Sequence, residues 1–173
     1  MSDIRNEISD DRGIIKKIQL LLPGYRGYRI NEDLRDADIF LKDALYKKML
    51  EVISELKNGQ ASLISNGVFS GLEVIGTTRS RIQTASALVR HHDLGYSGVS
   101  APIRADAKKI SAIYDLDSKI SEEIKRLDSA MKEFVNECNS GKLNTELLQQ
   151  VNSVVASILD LNKSRANLLY GGV

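Results

Sequence analysis

The sequence predicts an all-α protein, an elongated antiparallel bundle of about five helices with coiled-coil-like packing. Three observations carry that prediction. Apolar residues return at three- and four-residue steps through most of the chain, and no strand-like alternation is sustained. Clusters of glycine, proline and asparagine punctuate the pattern at a few places only. With 42% hydrophobic residues in 173, the chain can bury a core without disulfides or metal, so one domain over 1–173 is expected.

The first segment, about Asp3 to Leu22, sets Ile4, Ile8, Ile15, Ile18 and Leu22 on one stripe, with Asp11 in the missing step. Pro23-Gly24 stops it, since proline and glycine suit the centre of a type II turn. The second segment starts at Asn31, a good N-cap, with Glu32 and Asp33 in the first turn, where the helix dipole favours acids. Leu34, Ala37, Leu41, Leu45, Met49, Val52 and Leu56 form its stripe, and Asn58-Gly59 reads as its C-terminal cap.

A third segment, from Gln60 to His92, carries Ile64, Val68, Leu72, Ile75, Ile82 and Val89 at helical spacing. Gly67, Gly71 and Gly76 weaken it, and a break between Gly67 and Gly76 is the alternative reading. Asp93 to Pro102 is a loop, with Ser100 able to cap the next helix. The fourth segment has the most regular ladder: Ile110, Ile113, Asp117, Ile120, Ile124, Leu127, Met131, Phe134 and Cys138. Asn139-Ser140-Gly141 ends it. The fifth begins near the N-cap candidate Asn144 and runs through Leu147, Val151, Val154, Ile158, Leu161, Arg165 and Leu168 to Tyr170.

If sequence neighbours pack antiparallel, the loops at 23–29 and 95–98 and the C-terminus share one end. That end then gathers Tyr25, Arg26, Tyr28, Arg29, Tyr96 and Tyr170 as a candidate partner-binding surface. Asp11, Arg79 and Asp117 break three apolar stripes at a similar depth, which makes them candidates for a buried polar layer, with Arg79 and Asp117 as a pair. The bland alternatives are loop residues that brace one another and stripe-breakers that sit in water.

Pro23-Gly24-Tyr25-Arg26-Gly27-Tyr28-Arg29 and the later Gly95-Tyr96-Ser97-Gly98 before Ala101-Pro102 resemble a group of small uncharacterised prokaryotic helical proteins. The resemblance covers most of the chain and implies a helical fold, with no assigned activity and no catalytic residues.

Charge and chemistry narrow the classes further. A net charge of +1 makes no global case for nucleic acid or an anionic membrane. No run of about 18 apolar residues marks a membrane span, and no basic start with an apolar run marks a signal peptide. The expectation is cytoplasmic. Cys138 is the only cysteine and is expected to pack as an apolar residue. His91-His92-Asp93 lacks the Glu-x-x-His spacing of di-iron bundles. No nucleophile elbow and no phosphate-binding glycine motif is present. No catalytic, metal or cofactor residue is therefore assigned. The function expected is binding of a protein partner, or self-association, through the tyrosine- and arginine-rich end, because these residue types dominate binding hot spots. The rival is nucleic-acid or anionic-surface binding by Arg26, Arg29, Arg90, Lys16 and Lys17, with tyrosines stacking on bases.

Overall fold

The computed structural model describes residues 33–91 and 107–170, which form four helices and no strand. They are α1 (Asp33–Ser65), α2 (Leu72–His91), α3 (Ala107–Asn139) and α4 (Thr145–Tyr170). The predicted first helix, 3–22, lies outside the described residues, as do both the Pro23–Arg29 and the Asp93–Pro102 loops.

The expected helix end at Asn58-Gly59 is corrected: α1 runs through it to Ser65, and the chain turns at 66–71. The reason is packing. Gly59 is buried in the helix, and a Cβ there would lie 3.3 Å from Val135 Cγ2 and 3.4 Å from Cys138 Sγ. Its missing side chain lets α1 and α3 approach closely. The cap is Gly67, at φ +76°, in the left-handed region that glycine enters without steric cost. Its amide donates to the Ile64 carbonyl at 3.0 Å, and the Val68 amide donates to Leu63 at 2.9 Å. Those two bonds satisfy carbonyls that the helix end would leave open, and Val68 packs back against the core. The break in the third predicted segment, read as the alternative, is thus what the structure has. The turn at 140–144 falls where the sequence placed it. Asn144 Oδ1 accepts from the Glu146 and Leu147 amides at 3.1 and 3.2 Å, capping α4.

The helices occupy four corners. α1 lies beside α2 and α3, and α4 lies beside α3 and α2, while α2 and α3 sit on a diagonal without contact. Directions follow from the cross-links. Ser62 Oγ donates to Asn139 Oδ1 at 2.7 Å and Lys48 lies 3.2 Å from Asp128, so α1 and α3 run parallel. Asn152 Nδ2 donates to Thr78 Oγ1 at 2.8 Å, and Gly71 lies against Leu143, so α2 and α4 run parallel too. The two hairpins, α1–α2 and α3–α4, therefore stand side by side, with both short turns at what we call the lower end. The expectation that every sequence neighbour packs together fails for α2 and α3, which stand at opposite corners.

The core is continuous along this frame. Leu41, Leu45, Met49, Val52 and Leu56 of α1 face Ile120, Ile124, Leu127, Met131 and Phe134 of α3 and Leu148, Val151, Val155 and Ile158 of α4. From α2 come Ile75, Ile82, Ala85 and Val89. Cys138 is fully buried, as expected, and burial pushes its thiol up to about 11. Among the described residues no helix is long and apolar enough to cross a membrane.

Candidate functional site

Two features stand out: one lies above the apolar core toward the upper end, the other along the middle of α1 and the upper half of α2. The first is a buried cluster of charge. Arg165 Nε donates to Asp117 Oδ1 at 2.6 Å, and its Nη2 donates to Asp38 Oδ1 at 2.6 Å and to Asp117 Oδ2 at 3.4 Å. Lys42 Nζ meets the other Asp38 oxygen at 2.8 Å. The four residues are 1–7% exposed, and two acids face two bases, so the cluster is formally neutral. Burying any one of these ions alone would be costly, and the mutual contacts offset that cost. The planar guanidinium is suited to the task, because its fork can serve two carboxylates at once.

Helix direction explains how residues on opposite sides of the bundle meet. Side chains lean toward the N-terminus of their own helix. On α4 that lean carries Arg165 down from the upper end, and on α3 it carries Asp117 up. The Asp117 carboxyl is raised to about 6, chiefly by desolvation, with Asp38 adding to the rise and Arg165 and Lys42 opposing it. Beneath the cluster lies a cavity of about 10 Å³, bounded by Lys42, Asp117, Asn162 and Arg165 and closed by Val89 of α2. It has room for one water at most.

The predicted polar layer is therefore corrected in its membership. Asp117 is buried and paired, but with Arg165 rather than Arg79. Arg79 is half-buried on α2, across the diagonal from α3, and ten residues (~15 Å) below the Val89 that borders the cluster. Asp11 lies outside the described residues. Arg165 and Asp117 both interrupt their ladders in the sequence, which was the available signal. Asp38 and Lys42, four apart beside the Leu41–Leu45 stripe, were the part missed.

The second feature is a groove of about 380 Å³ between α1 and α2. Tyr46, Leu50, Ile53, Ser54 and Lys57 line it from α1, and Gln83, Ser86, Ala87, Arg90 and His91 line it from α2. The Arg90 guanidinium sits over the Tyr46 ring, 4.6 Å from its centroid, a cation–π contact that holds the arginine at the groove's upper mouth. No carboxylate lines the groove.

Of the expected partner-binding residues, Tyr25, Arg26, Tyr28, Arg29 and Tyr96 lie outside the described residues, and Tyr170 is the last residue of α4. The helix ends that lead to them are described. Asp33, His91, Ala107 and Tyr170 all point to the upper end, though α2 stops short. It has 20 residues against 33 in α1, so α1 rises ~20 Å beyond it. Among the described residues no group of three His, Cys, Asp or Glu side chains is placed to hold a metal ion. At the lower end Phe69, 65% exposed, stands with Ile64 and Val74 as a small apolar tip. The sequence matches no family model, no curated protein and no solved structure.

Proposed function

We propose that this protein is a non-enzymatic, cytoplasmic helical bundle that binds a macromolecular partner, another protein or a second copy of itself, through its upper end. The observation that carries the reading is the direction of the helices. The ends of α1, α2, α3 and α4 that adjoin residues 23–29, 95–98 and the C-terminus all face the same way. In the sequence, residues 23–29, with two tyrosines and two arginines, precede α1, and residues 95–98, with one tyrosine, fall between α2 and α3. Tyrosine and arginine combine large contact area with few rotatable bonds or a rigid donor fork, which suits them to hot spots. The neutral charge cluster just beneath ties α1, α3 and α4 together, a firm base for loops that do the recognising.

Replacing both Arg26 and Arg29 by alanine tests this. A recognition role predicts a melting temperature within a few degrees of wild type together with loss of the partner in a pull-down from the native host. A bracing role predicts lower stability with binding retained by the folded fraction. A double mutant that melts normally and keeps every partner removes the reading.

The second reading, nucleic acid or an anionic surface at the same end, has one observation in its favour: Arg90 is exposed beside the Tyr46 ring. Affinity that falls steeply with salt would select it, and weak salt dependence would select a protein partner.

A further inference from the structure

The geometry points to a second binding surface: we propose that the α1–α2 groove is the docking site of an acidic amphipathic helix of about three turns. The inference rests on the reading that this protein works by binding, but it concerns a different face from the loop end.

Helix α1 carries two seams. One faces the core. The other, Ile39, Asp43, Tyr46, Leu50, Ile53 and Lys57, is spaced by four, three, four, three and four residues, the step pattern of a helix seam that packs on another helix, with Asp43 above the groove and paired with Lys47 at 2.7 Å. Ile39 is 48% and Leu50 42% exposed and Tyr46 is half-buried, so no described helix covers these three, while Ile53 beneath them is buried in the core. Along the groove Ile53 forms the floor and Leu50 the wall, with Ala87 opposite on α2. An apolar floor of this kind favours an apolar helix face over a phosphate backbone, which would need cations along its whole length.

Charge sets the chemistry of the partner. Arg90 and His91 stand at the upper mouth and Lys57 at the lower, with no carboxylate between them. Tyr46 and Lys57 are eleven residues apart on α1, a span of ~16 Å and close to three helical turns. A helix with apolar residues at i, i+3, i+4 and i+7 and acids at both ends would satisfy the seam and both cationic mouths.

The test uses the full chain and a synthetic three-turn peptide with that leucine pattern and glutamates at both ends. A matched peptide carries lysines in place of the glutamates. Fluorescence anisotropy should show the glutamate peptide binding in the micromolar range and the lysine peptide at least about tenfold more weakly. Lys57→Glu with Arg90→Glu should invert that preference. Leu50→Glu, at an exposed position, should abolish binding with an unchanged melt, which keeps the test valid if the charge-reversed protein folds poorly. Equal binding of both peptides, a preference that survives charge reversal, or no binding up to about 1 mM overturns the proposal. So does a single-stranded oligonucleotide that occupies the groove instead, or ultracentrifugation that shows Leu50→Glu dissolving a dimer of this chain. Arg26→Ala with Arg29→Ala should leave peptide binding intact, so failure here and failure of the loop-end reading are separately visible.

Discussion

Replacing Arg165 by methionine, which keeps much of the length and removes the charge, should be among the most damaging single changes in the described bundle. The side chain is 1% exposed and serves two carboxylates. Asp38 would keep Lys42 at 2.8 Å, but Asp117 would lose the only cation bonded to its carboxylate among the described residues. Removing one partner of a buried ion pair costs roughly 3–5 kcal/mol, a large fraction of the ~5–15 kcal/mol that stabilises a typical domain. Urea unfolding followed by circular dichroism at neutral pH reads this directly. Adding Asp117→Leu to Arg165→Met should recover at least half of the loss, because an apolar replacement of a whole buried pair is often neutral or better. A single-mutant loss below about 1 kcal/mol, the range of exposed pairs, would refute the reasoning. A double mutant no better than the single would equally show that the stranded carboxylate is not the cause.

Further expectations follow from the same geometry. Asp117 has a folded pKa of about 6 against an ordinary 3.8, so its stabilising contribution is full below the lower value and is lost as pH rises through the upper. Wild type compared with Asp117→Asn should therefore lose about 2 kcal/mol between pH 4 and pH 8 in paired urea titrations, and a flat difference would contradict this. Gly67→Ala should cost about 1–2 kcal/mol through backbone strain alone, since φ is +76° and nothing lies within 4 Å of the added methyl. Gly67→Asn should cost less by the same melt. Gly59→Leu should destabilise by roughly 1–3 kcal/mol by forcing α1 away from Val135 and Cys138, and a neutral result would mean the two helices are not in close contact. Cys138 should react with a thiol reagent only as fast as the bundle opens, because the thiol is buried and raised to about 11. Labelling at the rate of a free thiol would contradict that.

How far the sequence disclosed this fold depends on which residues carry each element. The α3 ladder was legible because Ile113, Ile120, Ile124, Leu127, Met131, Phe134 and Cys138 are apolar and all buried, with Asp117 as the single charged break. The α2 seam was blurred because two of its buried positions are Thr78 and Ser86, whose hydroxyls bond to Asn152 and to the Gln83 carbonyl. In α4 the buried seam is Leu148, Val151, Val155, Ile158, Asn162 and Arg165, so the predicted Leu147, Val154 and Leu161 flank it half-buried. Glycine misled at Gly59 and informed at Gly67, since a close helix contact and a left-handed cap leave the same letter in the chain. The charge cluster was the hardest part. Its members come from three helices of unequal reach, and counting residues from helix ends put Arg79 rather than Arg165 opposite Asp117. The charge-lined groove depends on which faces of α1 and α2 remain uncovered, and no local pattern reports that.

The central functional claim is that recognition happens at the upper end, and amide hydrogen exchange on the protein with and without its co-purified partner tests it most directly. The account predicts added protection in the first three turns of α1, the last turn of α2 at Arg90–His91 and the start of α3 at Ala107, with the turns at 66–71 and 140–144 unchanged. Protection confined to the lower end, around Ile64, Phe69 and Val74, would place the partner on the opposite face of the bundle and contradict it.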